Sequence, residues 1–143
     1  MFGSAGDRDR DKRPVMGAIA ARAADVVIVT DDPPHSEAPA PIRAHILAGA
    51  RAEADRIARE EGRTVVIEEV ADRAAAIRRA VELAGPQDGI LLAGRGHETT
   101  MDYDGELVPL DDRVALREAL AARVAAASAS GSGPAREGKV IES

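Results

Sequence analysis

The sequence has no cysteine and no tryptophan, and its aromatic side chains are one Phe and one Tyr. The absence of cysteine excludes disulfides and thiolate metal sites. The shortage of aromatic rings counts against modules that stack nucleic-acid bases. Apolar runs such as residues 26–29 are too short to span a membrane, and no signal-peptide pattern opens the chain. With a net charge of −6, we expect a cytoplasmic protein that binds neither nucleic acid nor membranes.

The 143 residues correspond to one domain. Short β-branched runs alternate with longer amphipathic stretches, which predicts an α/β fold built from βαβ units around a mostly parallel sheet with flanking helices. We expect buried strands at 26–30, 64–67 and 89–93, and helices at 14–24, 41–48, 50–61, 72–84 and 111–127. The Asp104-Gly105 pair predicts a small β-hairpin near the C-terminus.

The two ends of the chain differ from the rest. Residues 128–143 are small and polar, which is typical of a disordered tail. At the other end, Phe2-Gly3 reads as the last part of a strand whose preceding part is absent, so we expect the chain to begin inside a domain.

Ligands of open parallel sheets bind beyond the carboxyl ends of the strands, where three polar loops are expected. The first, residues 3–9, combines small residues with Arg8, which can grip a carboxylate; a flexible charged turn is the plainer interpretation. The second, residues 31–37, carries Asp32 and His35; alternatively, Ser36 or Glu37 caps the next helix and the aspartates are solvated.

The third loop, residues 94–98, places two glycines around Arg95 and ends in His97 and Glu98. Gly94 would let the backbone approach a ligand and Glu98 could accept an ammonium group, although glycines at a strand end often only make a turn. The sequence has no phosphate-binding loop, nucleophile elbow or zinc spacing, so we assign neither a catalytic residue nor a metal ligand.

Taken in order, residues 2–16, 29–37, 94–98 and 110–113 resemble the C-terminal domain of the Mur ligases. The resemblance implies a Rossmann-like, doubly wound sheet and an ATP-dependent, amide-forming ligase of peptidoglycan precursor synthesis. It also implies that residues 1–127 are this C-terminal domain without its first strand and helix. The motifs are most similar to members that add a diamino acid to UDP-MurNAc-L-Ala-D-Glu. ATP and Mg²⁺ would be bound mainly outside this chain, by the ATP-binding domain. The complete enzyme would also need the N-terminal domain. This chain alone is therefore expected to be inactive.

By position in that resemblance, Arg8 pairs with a carboxylate of the amino acid, Gly94 offers a backbone contact and Glu98 holds the distal ammonium. Asp32 and His35 stand where the diaminopimelate-adding members have the first and last residues of Asp-Asn-Pro-Arg. Because an arginine fork is replaced by His35, we expect L-lysine or L-ornithine to be favoured over meso-diaminopimelate. The alternatives are a folylpolyglutamate-synthetase-like ligase, a non-catalytic α/β binding module or a gene relic.

Overall fold

The computed structural model describes residues 1–130 and contains four helices and four short strands. In chain order these are α1 (Lys12–Ala23), β1 (Val26–Val29), α2 (Pro39–Glu61), β2 (Val66–Glu69), α3 (Arg73–Leu83), β3 (Thr100–Tyr103), β4 (Glu106–Pro109) and α4 (Asp112–Ser130). In the described part of the chain, no helix combines the length and apolar character needed to cross a bilayer.

The parallel sheet is built around β1. It pairs with β2 in parallel, with Val26 opposite Val66, and Phe2 forms a parallel bridge with Val29 on its other side. Met1 in turn donates to the Leu91 carbonyl at 2.7 Å and accepts from the Ala93 N–H at 3.1 Å. The order across the sheet is therefore β2, β1, residues 1–2 and residues 90–93, and the predicted α/β class is confirmed.

Residues 90–93 lie in the sheet without forming a regular strand, contrary to the prediction for 89–93. Their backbone hydrogen bonds to the sheet are made with Met1. One paired residue is too little for a ladder, because a ladder needs successive partners along the neighbouring strand.

Apolar side chains on the two faces of the sheet form separate cores. Val27 and Val29 pack with buried residues of α1 and α2. On the other side Met1, Ile90 and Leu92 pack against Ile77 and Val81 of α3 and Ala119 of α4. Because side chains alternate along a strand, helices cover both faces, as in a doubly wound fold.

Two helix predictions were wrong in an informative way. Gly49 does not end a helix: α2 continues through it, and a Cβ there would collide with the Pro14 backbone of α1. In α1 the apolar side chains of Val15 and Ile19, which lie one helical turn apart, are more than half exposed, while Arg13, Gly17 and Ala21 are buried. Glycines at this helix contact allow a close approach that larger side chains would prevent.

The C-terminal part matches the prediction more closely. β3 and β4 form the expected antiparallel hairpin, and positive φ angles at Asp104 and Gly105 fit its two-residue turn. The last helix runs to Ser130, so residues 128–130, which were predicted to belong to a disordered tail, are helical. Residues 131–143 of that predicted tail lie outside the described part of the chain.

Candidate functional site

The three polar loops follow Phe2, β1 and residues 90–93, and thus leave the sheet at the carboxyl ends of its strands. We keep the names first loop for residues 3–9, second loop for 31–37 and third loop for 94–98. The first two loops touch through their backbones, since the Gly6 N–H donates to the Pro33 carbonyl at 2.9 Å. A side chain at Gly6 would collide with the Pro34 carbonyl, so this contact depends on glycine.

Side chains strengthen the contact between the first and second loops. Asp7, which has a φ of 53°, accepts from the Ser36 hydroxyl at 2.7 Å and from its N–H at 3.2 Å. These hydrogen bonds lower the pKa of Asp7. Ser36 therefore joins the loops and does not cap α2, whose N-cap is Ala38 with no side-chain cap bond.

Glu37 is held by a buried arginine of α1. Nη1 and Nη2 of Arg13, a fully buried residue, donate to the two carboxylate oxygens of Glu37 at 3.1 and 2.9 Å. The Asp7 N–H donates to the same carboxylate at 2.8 Å. Hydrogen bonds from Arg13 lower the pKa of Glu37 to about 2. The interpretation of Glu37 as a helix cap is thus wrong, because its carboxylate is used to fix the first loop.

Asp32 is the buried acid of the site. Its relative exposure is 8%, and burial raises the pKa of its carboxyl even though Arg73 and Arg95 act in the opposite direction. A Cβ added to Gly94, whose φ is +103°, would lie 2.9 Å from Asp32 Oδ2. The second and third loops therefore meet at these two residues, and the interpretation of solvated aspartates is wrong for Asp32.

Asp31 is also buried, and it forms an ion pair with Arg43 of α2. Burial raises the pKa of its carboxyl, opposed by the hydrogen bond from Arg43. The two neighbouring aspartates therefore differ in use, because Asp31 is joined to a helix while Asp32 faces Gly94 of the third loop.

Two buried arginines, Arg73 and Arg95, hold the loops of the site in place. Arg73 donates to both carboxylate oxygens of Asp112, to the Asp31 carbonyl at 3.2 Å and to the Ala93 carbonyl at 3.0 Å. It thereby links the starts of the second and third loops. Arg95 turns inward and donates to the Thr100 and Leu110 carbonyls at 2.9 and 3.0 Å. The sequence located Arg95 between two glycines of the third loop without giving it a role, and it gave no sign of Arg73, because buried arginines are rare and have no local signature.

His35 lies at the edge of the site, next to the hairpin. It has a φ of 50° and forms a parallel bridge with Tyr103. Its Nδ1 is 3.2 Å from Oδ2 of Asp102, and both side chains are about one third exposed. The imidazole is therefore positioned beside a carboxylate while still open to solvent.

Arg8 and Glu98 are exposed, on the first and third loops. The Glu98 carboxylate accepts from the His97 N–H at 3.1 Å, and backbone hydrogen bonds, first from its own N–H, lower its pKa. Its charge is close enough to Asp32 to contribute to the raised pKa there. Arg8 follows Asp7, which is tied to the second loop. The structure gives no direct contact between Arg8 and Glu98.

The resulting surface carries charges of both signs on a fixed backbone. Arg8 supplies a cation, Glu98 and Asp32 supply carboxylates, and Gly94 leaves its backbone accessible. Such a set can pair with the carboxylate and ammonium groups of an amino acid. Within residues 1–130, no cluster of three His, Asp or Glu side chains is placed to hold a metal ion.

Comparisons with known proteins agree with the sequence motifs. The family model described as "Mur ligase, glutamate ligase domain" matches residues 1–96. The chain is 51% identical over 120 residues to a UDP-N-acetylmuramoyl-L-alanyl-D-glutamate–2,6-diaminopimelate ligase of Corynebacterium efficiens, covering 84% of this chain and 22% of that protein. It is 50% identical over 125 residues to a ligase of the same name from Bradyrhizobium diazoefficiens, covering 87% and 23%.

A solved structure, also described as a UDP-N-acetylmuramoyl-L-alanyl-D-glutamate–2,6-diaminopimelate ligase, matches the fold with a TM-score of 0.72. The sequence identity is 36%, and the match covers 86% of this chain and 23% of the solved one. The chain thus spans somewhat more than a fifth of the length of the relatives it matches.

Proposed function

The chain belongs to the family of Mur ligase glutamate ligase domains, and we propose that it is the amino-acid-binding part of a larger ligase. That ligase would act in the cytoplasm on UDP-MurNAc-L-Ala-D-Glu and form an amide bond in peptidoglycan precursor synthesis. This chain would position the incoming amino acid for the other domains.

We propose diaminopimelate as that amino acid. The preference for lysine or ornithine expected from His35 has no support from the relatives, which are about 50% identical and are named for 2,6-diaminopimelate. Diaminopimelate carries two carboxylates and two ammonium groups. The loops offer cations at Arg8 and, when protonated, at His35, and carboxylates at Glu98 and Asp32, which suits a substrate charged at both ends.

The chemical contribution of these loops would be positioning. In such a ligase ATP, with Mg²⁺, activates the substrate carboxylate that the amine attacks. Holding an amine in the correct orientation is worth about 7–11 kcal/mol of barrier in favourable cases. We assign ATP and Mg²⁺ mainly to the remainder of the enzyme, and we assign no general base to this chain.

The observation that carries the proposal is the convergence of loops far apart in sequence. The first and second loops are joined through Gly6–Pro33 and Asp7–Ser36, and the second and third meet at Asp32 and Gly94. Helix–sheet packing alone does not require charged loops to be fixed in this way. A rigid set of charges is what orientation of a small zwitterion needs.

A domain exchange tests the ligase function directly. Residues 1–125 of this chain would replace the matching segment of the Corynebacterium efficiens ligase, and ATP-dependent phosphate release would be measured with UDP-MurNAc-L-Ala-D-Glu and each amino acid. We expect turnover with meso-diaminopimelate that exceeds turnover with L-lysine and L-ornithine. Turnover only with lysine or ornithine would overturn the proposal that diaminopimelate is the substrate. A folded chimera without any turnover would favour a non-catalytic module.

Variants in the chimera separate binding from folding. Arg8→Gln and Glu98→Gln should each raise the KM for diaminopimelate by about tenfold or more, as expected for loss of a charged hydrogen bond. The matched control is Arg117→Gln, an exposed position on α4, which should leave KM unchanged. Equal effects at all three positions would contradict the assigned roles.

A further inference from the structure

His35 is held by the hairpin through both its backbone and its side chain. It forms a parallel bridge with Tyr103 of β3, and its Nδ1 lies 3.2 Å from Oδ2 of Asp102. An ionised carboxylate only accepts hydrogen bonds, so this contact requires a proton on Nδ1. The other ring nitrogen, Nε2, has no hydrogen-bond partner within residues 1–130. One ring nitrogen is therefore fixed by the protein, and the other is free to bind a ligand.

The carboxylate of Asp102 is itself fixed in place. Its Oδ1 accepts from the Gly105 N–H at 2.7 Å, which leaves Oδ2 for His35. Gly105 belongs to the two-residue turn between β3 and β4 and has a φ of 87°. The hairpin turn thus orients the carboxylate, and the carboxylate orients the imidazole. A binding group keeps its geometry when its neighbours are fixed in this way.

Few side chains of the three loops can offer a positive charge to a ligand. Arg95 is buried and bonded to two backbone carbonyls, so it is not available. The other cationic or basic side chains of these loops are Arg8, His35 and His97. Within the described chain, no hydrogen bond orients the imidazole of His97. His35 is therefore the imidazole of these loops whose ring is oriented by the fold.

The imidazole of His35 lies near the first loop as well as the hairpin. The pKa of Asp7 is lowered mainly by its hydrogen bonds from Ser36, and the nearby charge of His35 acts in the same direction. Arg8 is the next residue after Asp7. His35 and Arg8 therefore offer two cationic groups to one part of the surface. A molecule with two carboxylates can use both.

We infer that Asp102 is a positioning residue of the amino-acid site. It fixes Nδ1 of His35, so that Nε2–H of the protonated ring donates to the second carboxylate of diaminopimelate. This inference rests on the proposed function and adds the hairpin to the site. L-Lysine has no second carboxylate, so its binding does not use His35. The hairpin thereby contributes to the choice between these two amino acids.

Calorimetric titration of the 143-residue chain with meso-diaminopimelate and with L-lysine tests the inference, at about pH 6, where imidazoles take up a second proton. Asp102→Asn keeps an oxygen for the Gly105 N–H but offers His35 an amide N–H in place of an acceptor. We expect about tenfold weaker binding of diaminopimelate and unchanged binding of lysine. Asp102→Glu keeps the carboxylate and should recover part of the affinity. Equal losses for both amino acids, as expected of a purely structural contact, or no loss would overturn the inference.

A double-mutant cycle checks that Asp102 acts through His35. His35→Gln should weaken diaminopimelate binding to a similar extent, and Asp102→Asn should add little to that loss in the His35→Gln chain. His97→Gln is the matched control, because it removes an imidazole of the third loop that no hydrogen bond orients, and it should leave the affinity unchanged. Losses that add fully in the double variant would overturn the inference. A loss in His97→Gln as large as that in His35→Gln would also contradict it.

A measurement without ligand separates this inference from the proposed function. Nitrogen-15 NMR at about pH 8, where imidazoles are mostly neutral, shows which ring nitrogen carries the proton. We expect the Nδ1–H form for His35 and its loss in Asp102→Asn, while His45 and His97 keep the Nε2–H form in both chains. If His35 also has the Nε2–H form in a chain that binds diaminopimelate, this inference alone fails. If His35 has the Nδ1–H form but the chain binds neither amino acid, the proposed function fails, and this inference fails with it.

Discussion

The second and third loops leave the same end of the sheet, yet they are held in different ways. The second loop is fixed mainly through its side chains, by hydrogen bonds of Ser36 to Asp7 and of Glu37 to the buried Arg13. The third loop is fixed mainly through backbone groups, by the buried side chain of Arg95, which bonds to the Leu110 carbonyl, and by the bond from Arg73 to the Ala93 carbonyl. One site thus combines a loop held by its own charged side chains with a loop held by bonds to backbone carbonyls.

The largest loss of stability is expected at Arg73, whose side chain bonds to both the second and the third loop. Replacing Arg73 with Leu removes every side-chain hydrogen bond from an arginine to the buried Asp112 carboxylate, leaves it only the more distant Arg95 at 3.9 Å, and removes donors from two loop carbonyls. Breaking one partner of a buried pair costs about 3–5 kcal/mol. Urea unfolding should show this loss in the free energy of unfolding.

The control for Arg73 is Arg113→Leu, which removes an arginine paired with Asp111 at the surface. Exposed ion pairs contribute about 0–1 kcal/mol. If Arg73→Leu does not fold, Arg73→Lys keeps the charge and should still lower the midpoint. Similar losses for Arg73→Leu and Arg113→Leu would show that the interior network is not a main support.

An intermediate effect is expected at the contact between the loops. Gly94→Ala forces a side chain into a positive φ and against Asp32, whereas Gly96→Ala meets no atom within 4 Å. We expect Gly94→Ala to lower the free energy of unfolding by about 1–3 kcal/mol, the usual cost of such backbone strain. Gly96→Ala should have a clearly smaller effect. Thermal unfolding of the two variants measures this difference. A larger loss of stability in Gly96→Ala than in Gly94→Ala would contradict the contact between Gly94 and Asp32.

The smallest loss of stability is expected at the Arg13–Glu37 ion pair of the second loop, and this loss should depend on pH. The pKa of Glu37 is lowered to about 2 in the folded chain, so its ionised form stabilises the fold above the unfolded pKa near 4.5. That contribution should be lost as the pH falls from about 4.5 toward 2. Glu37→Gln should remove this part of the pH dependence of urea stability, and Glu118→Gln should retain it. If the pH dependence of stability were unchanged in Glu37→Gln, the contact between Arg13 and Glu37 would not stabilise the fold in this way.

Much of the fold could be predicted from local patterns. The apolar run of β1, the Asp104-Gly105 turn and the end of α2 at Gly62 all have local physical causes. Residues 90–93 formed no regular strand because a ladder depends on a neighbour, which no local pattern reveals. Gly49 was misinterpreted because its role is contact with Pro14, 35 positions away in the sequence.

The loops of the site could also be predicted from local patterns, whereas the contacts that hold them could not. Polar loops after apolar strands were visible in the sequence, and the motifs of the family marked Arg8, Asp32, His35, Gly94 and Glu98, whose binding roles remain predictions. The supports of those loops were not visible. Arg13 and Glu37 pair across 24 residues, and Arg73 and Asp112 across 39. Only the folded chain shows which arginines are interior.

We propose that the three loops together form one receptor for a free amino acid, and calorimetric titration of the folded chain with meso-diaminopimelate measures this binding. We expect one site per chain, with affinity reduced about tenfold in Glu98→Gln and in Arg8→Gln, unchanged in Arg117→Gln, and increased in His35→Arg, which restores an arginine that can pair with a carboxylate. Absence of binding by the folded chain, or binding that is insensitive to Arg8 and Glu98, would contradict it.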